Sequence, residues 1–107
     1  MTTRYKVVFS PRAACQLDSL YSYIADHSGE ARAEGFVGRI VATCESLQTM
    51  PERGTKRDDI RPNLRVMGYK RRVTIAFSVD TAAATVTIHG VFYGGQDFER
   101  RLDEGDE

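Results

Sequence analysis

No apolar run in this chain of 107 residues approaches the roughly 20 that a membrane-spanning helix needs. A helical membrane span is therefore excluded. The opening MTTRYKVVFSPRA also lacks the apolar core of a secretory signal, so the expected location is the cytoplasm. There are only two cysteines, Cys15 and Cys44, and neither belongs to a CxxC pair. A pair so far apart is a poor metal signature, so neither a metal nor a cofactor is expected. In a reducing compartment both are free thiols. Internal repeats and low-complexity segments are absent too, which excludes solenoids and disordered linkers. What is there is 41% hydrophobic and 28% charged, a globular composition at single-domain length.

Net charge is zero, but the charges are segregated. Residues 53–72 hold eight basic residues against Asp58 and Asp59, a local charge of +6. The rest of the chain balances it at −6, with four acids in the final LDEGDE. A basic middle in a neutral chain points to an anionic partner, nucleic acid or an acidic protein segment. Without such a partner it is a solvated loop face.

Elements follow from periodicity. YKVVF is a short β-rich run. Ser10-Pro11 then provides a helix cap and a first-turn proline. Leu17, Leu20, Tyr21 and Ile24 recur at helical spacing, and the helix ends near His27-Ser28-Gly29. Cys15 falls opposite that stripe. Ala33, Phe36, Val37, Ile40, Cys44 and Leu47 mark a second helix, closed by Met50-Pro51. A short glycine-containing turn makes the two an antiparallel hairpin.

Residues 52–63, ERGTKRDDIRPN, read as a polar loop. Three β-like runs follow. The first is short, residues 64–67. In the second, Val73, Ile75, Phe77 and Val79 alternate with polar or small residues. In the third, Val86, Ile88, Gly90 and Phe92 alternate with Thr85, Thr87, His89 and Tyr93. The expected class is α+β, in the order β-α-α-β-β-β. An antiparallel sheet carries the helical hairpin on one face, and the other face is more polar and partly open.

That order, the start FSPRAACQLDSLYSYIA, the linker MPERGTKRDDIRPNLR and the ending GVFYGGQDFE together resemble the RelE/ParE superfamily. These are the toxins of bacterial type II toxin–antitoxin pairs. The likeness runs over about residues 5–99 and is nearer to the ParE branch. It implies one toxin domain over residues 1–99 and a short acidic tail, 100–107. It also implies a cognate antitoxin as partner in a hetero-oligomer. ParE-like toxins poison DNA gyrase by binding it, without catalysis. RelE-like toxins cut messenger RNA on the ribosome, so enzyme activity stays open, with the non-catalytic reading favoured.

The ribonuclease alternative makes a demand that side-chain parity can address. Metal-free RNA cleavage needs a base for the ribose hydroxyl, an acid for the leaving group and cations on the phosphate. If Val73, Ile75, Phe77, Val86, Ile88 and Phe92 face the helices, then Arg72, His89 and Tyr93 face outward. If Leu64 and Val66 are inward, Arg65 joins them. His89 and Tyr93 would still be about 13 Å apart along one strand, and no carboxylate base is evident. Gly94-Gly95-Gln96 matches the triplet of peptide-release factors. It reads more simply as a sharp strand exit into a turn of helix through Leu102. For antitoxin or target binding the candidates are Arg57, Arg61, Arg65, Arg71, Tyr21 and Tyr23, with Tyr5 beside them. The antitoxin would lie between hairpin and sheet, as a helix in a groove or an added strand.

Overall fold

A computed structural model describes residues 4–70 and 72–93. Chain order is β1 (Lys6–Phe9), α1 (Pro11–Ser28), α2 (Glu30–Glu45), a 3-10 turn (Ser46–Gln48), β2 (Thr55–Lys56), β3 (Leu64–Tyr69), β4 (Val73–Asp80) and β5 (Thr85–Tyr93). The expected order holds, with the two-residue β2 added at the sheet edge.

The caps explain where the helices start and turn. The Ser10 hydroxyl accepts from the Ala13 N–H at 3.1 Å, and Pro11 opens α1. The same hydroxyl donates to the His89 carbonyl at 3.2 Å, tying the cap to β5. Gly29 alone joins the helices. Its φ of +96° suits glycine, and its N–H donates to the Ala25 carbonyl. Helix α2 ends at Glu45, and the 3-10 turn carries the chain on toward Met50-Pro51.

Sheet order is β1-β5-β4-β3-β2. Strand β1 lies parallel to β5, from Lys6 opposite Thr85 to Phe9 opposite Ile88. The other pairs are antiparallel, so the sheet is mixed. The helical hairpin packs on one face. Leu20, Ile40, Cys44 and Leu47 meet Val73, Ile75, Phe77, Val86, Ile88 and Val91 in the main core. No helix among the described residues is long and apolar enough to cross a membrane.

One irregularity decides where side chains point. Ala76 pairs with Gly90, but Phe77 pairs with Ile88. His89 is thus an extra residue on β5, a β-bulge. Strict alternation fails at that point. Val86 and Ile88 face the helices before the bulge; Val91 and Tyr93 do so after it. Phe92, expected in the main core, points to the opposite face, and Tyr93 takes the helix side.

The parity expected of β3 is likewise reversed. Leu64 pairs with Ser78 and Val66 with Ala76, and directly opposed residues share a face. Both therefore point away from the helices. Arg65 pairs with Phe77 and stands on the helix side.

The far face is accordingly not simply polar and open. Leu64, Ala76 and Phe92 are buried there in a second small core, with Ile60 and Val66 packed against it. Ile60 comes from the loop expected to be polar and solvated. That loop is built like a lid. Arg57 donates its N–H to the Leu64 carbonyl at 2.8 Å, and Ile60 its own to Arg57 at 3.0 Å. The Asn63 N–H donates to the Asp58 carboxylate at 2.9 Å, and Arg57 forms a two-pronged ion pair with Asp59, both bonds at 3.0 Å. That pairing holds the Asp59 carboxyl below its usual range.

Candidate functional site

The four candidate ribonuclease groups are dispersed. Arg65 is half-buried and donates from one guanidinium nitrogen to the carbonyls of Glu52 (3.1 Å) and Arg53 (3.4 Å). Arg72 is exposed in the turn between β3 and β4, at the opposite end of the hairpin. His89, on the bulge, places Nε2 2.7 Å from the Ser78 hydroxyl on the far face. Tyr93 packs edge-on to Phe36 of α2, ring centroids 6.1 Å apart, on the helix side. The expected open face presenting Arg65, Arg72, His89 and Tyr93 together does not form. Tyr93 stands on the helix side and Arg72 in the turn at the far end of the hairpin, while Arg65 and Ser78, the hydrogen-bond partner of His89, line one cleft at the other end.

Tyr93 instead belongs to a row of rings. His27 lies 4.3 Å from Tyr23, Tyr23 6.3 Å from Tyr93, and Phe36 6.1 Å from both Tyr93 and Tyr69. Tyr23 is 53% exposed, so the row reaches solvent where α1 passes the end of β5. There it borders a groove of about 490 Å³ between α1 and β5, lined by Arg12, Cys15, Gln16, Leu20, Tyr23 and Val91 among others.

Sequence order makes this groove. β1 covers β5 only as far as Ile88, whereas β5 runs on to Tyr93. Beyond β1, the Gln16 side-chain oxygen accepts the Val91 N–H at 2.7 Å. A side chain thus does what a neighbouring strand would otherwise do. Gln16 and Arg12 escape the sequence reading; the available signal is a glutamine three residues after Ala13 and four before Leu20, both buried on the core side of α1.

A second, polar cleft of about 530 Å³ opens beyond the start of β3, where β4 outruns its partner strand. Lys56, Asn63, Arg65 and Ser78 line it, together with Glu52 and Asp80. Of the remaining candidates, Arg57 is committed to Asp59, Arg61 is half-buried in the loop, and Arg71 lies outside the described residues. So does the Gly94-Gly95-Gln96 triplet. Tyr21 lines a shallow apolar groove with Leu17, Val37 and Val41, away from the basic loop. Burial, then the carboxylates of Glu34 and Glu30, raises its phenol above the ordinary value. Among the described residues no three His, Cys, Asp or Glu side chains gather to hold a metal.

The surface thus carries an aromatic-rimmed groove at a strand edge and a polar cleft of mixed charge at the other end of the sheet. A solved structure from a chromosomal ParDE toxin–antitoxin system of Pseudomonas aeruginosa superposes with a TM-score of 0.73 at 21% identity, covering 87% of this chain and 99% of that one. The RelBE2 toxin–antitoxin complex of Mycobacterium tuberculosis superposes at 0.63 and 18% identity, covering 90% and 98%. At such identities the likeness is one of fold. No curated protein matches. The model of the ParE toxin of type II toxin–antitoxin systems matches residues 7–98, nearly the whole chain, and the chain belongs to that family.

Proposed function

We propose that this protein is a toxin that acts by binding DNA gyrase rather than by cutting RNA, and that a cognate antitoxin neutralises it. The observation that carries the reading is the bulge at His89. It turns Tyr93 toward the helices and leaves the cleavage candidates on two faces of the sheet. A binding poison needs no converged acid and base, only a rigid surface. Membership of the ParE family supports the same choice. The working unit is the domain over residues 1–99 with its acidic tail, acting in the cytoplasm where gyrase is found.

The groove between α1 and β5 is the antitoxin seat we favour. It lies beside the stretch of β5 that β1 does not reach, with apolar side chains along it; an added strand would take over the Val91 N–H that Gln16 now holds. The exposed Tyr23 and the free end of the aromatic row are its anchors.

The test is a supercoiling assay with purified gyrase and plasmid, run with and without the toxin. Inhibition with accumulation of cleaved complex is expected. Codon-linked cuts in messenger RNA after induction, lost in Arg65→Ala, would refute the reading and install the ribosome-dependent ribonuclease in its place.

A further inference from the structure

The charges of α2 are sorted by side. Arg32 and Arg39 lie seven residues apart, close to two turns, and so stand on one flank. Glu30 and Glu34 sit two residues either side of Arg32, roughly 200° round the helix. Val37 and Val41 stand in the same relation to Arg39, and both line the shallow groove against α1. The carboxylates of Glu34 and Glu30 act on the Tyr21 phenol of α1 from that side. The arginine flank therefore faces away from α1. It looks toward β3, because Phe36, about one turn from each arginine, packs edge-on to Tyr69 with ring centroids 6.1 Å apart.

More cations continue the row. Ser46, seven residues beyond Arg39, accepts from the Arg53 guanidinium at 2.9 Å. Arg53 in turn offers its carbonyl to Arg65, on the helix side of β3. At the other end, the turn after Tyr69 carries exposed Lys70 and Arg72. Arg32, Arg39 and Arg53 are exposed, and among the described residues none of the three forms an ion pair. Four guanidiniums, of Arg32, Arg39, Arg53 and Arg65, stand against the one carboxylate of Glu52, a local charge of +3. Glu45, the last acid of α2, is about 120° round from Arg39. From Arg32 to Ser46 the row is about 21 Å long at 1.5 Å per residue, and it is straight because a helix carries it. No exposed ring stands along it; the one exposed ring among the described residues is Tyr23 on α1.

We propose that this flank is a binding surface for double-stranded DNA, held through its phosphates without regard to base sequence. A stiff row about 21 Å long matches the backbone over about six base pairs, at 3.4 Å each. Guanidinium forks suit phosphate oxygens, two hydrogen bonds at a time. A single strand would be held by exposed rings on which its bases stack, and the row has none. A flexible acidic peptide would give up its chain freedom to follow the row, whereas a duplex is already straight. The inference goes beyond the gyrase reading and does not rest on it, since the surface belongs to the chain alone.

Fluorescence anisotropy of a labelled duplex of ~20 base pairs, titrated with the full-length chain between ~50 and ~200 mM salt, tests this. Three to four phosphate contacts predict that log K falls with log salt at a slope of about −3. Arg32→Gln with Arg39→Gln should weaken binding ten-fold or more at ~50 mM and make the slope shallower by about two. Lys6→Gln, exposed on β1, should change neither. Unlabelled duplex should displace the probe at a lower charge concentration than polyglutamate does. No binding at ~50 mM salt, a slope shallower than about −1.5, or a slope that the double substitution leaves unchanged overturns the proposal. So does displacement by polyglutamate as effective as by duplex at equal charge, which marks an acidic protein segment as the partner. The slope and the displacement are measured on the unmutated chain, so a variant that folds poorly does not decide the matter.

Discussion

Removing Ile60 tests whether the basic loop really closes a second core. In Ile60→Ala a half-buried side chain is truncated, and the cost is about 1–2 kcal/mol, below the 2–5 of a fully buried isoleucine. In Phe92→Ala a ring only 2% exposed is lost, at about 3–4 kcal/mol. The two side chains belong to one small cluster, so the first truncation loosens what the second would have vacated. The double variant should therefore fall short of additivity by about 0.5–1.5 kcal/mol. Urea denaturation of the four proteins measures this, provided the slopes agree. Strict alternation would put Phe92 under the helices, with the sheet between it and Ile60. The two changes would then add, and Ile60→Ala would be nearly silent. Additivity within about 0.3 kcal/mol would refute the bulge-based account of the far face.

Other expectations follow from single positions. Gly54 has φ +79°, and a Cβ there would drive into the Val66 carbonyl; Gly54→Ala should cost 2 kcal/mol or more, on the order of a strained-backbone penalty, and lower the melting temperature. Gly38, mid-helix with nothing near its missing Cβ, should do the opposite, with Gly38→Ala raising stability by up to about 1 kcal/mol. Burial, and then the nearby Glu45, pushes the Cys44 thiol up to about 12, so iodoacetamide at neutral pH should modify Cys15 alone until the protein unfolds. The unfolded thiol ionises first, so Cys44 costs stability as pH rises past the ordinary thiol range; in Cys44→Ala that alkaline loss should shrink. Ser10→Ala should cost roughly 1 kcal/mol through the α1 cap, read by the same denaturation curves.

The helices are legible because their signals are local and redundant. Ser10-Pro11 marks a start and Gly29 a stop, and the stripe from Ala33 to Leu47 names a buried face that the fold uses. Strand β4 is legible for the same reason. The candidate site is not, because parity counting assumes an unbroken ladder and one inserted residue reverses everything after it. Its trace in the sequence is Gly90. A Cβ there would stand 2.5 Å from the Phe92 ring, so the isolated glycine marks the place where the strand stops alternating. Ile60 is the parallel case. One isoleucine among charges carries too little periodicity to be read, yet it closes the far-face core. Arg65 is misplaced for another reason: no bulge interrupts β3, but its face depends on a register with β4 that no local pattern encodes.

The parallel pairing of β1 with β5 has a consequence for how the protein is made. The Ser10 hydroxyl and the His89 carbonyl that it binds are 79 residues apart in sequence. Among the described elements, β1 leaves the ribosome before the others and its partner β5 after them. Contacts of such separation form late and slowly, because the intervening loop must close first. Until β5 emerges, Val7 and Phe9 have no strand beside them, and the groove beside α1 has only one wall. The groove between α1 and β5 is therefore complete only after β5 has been synthesised.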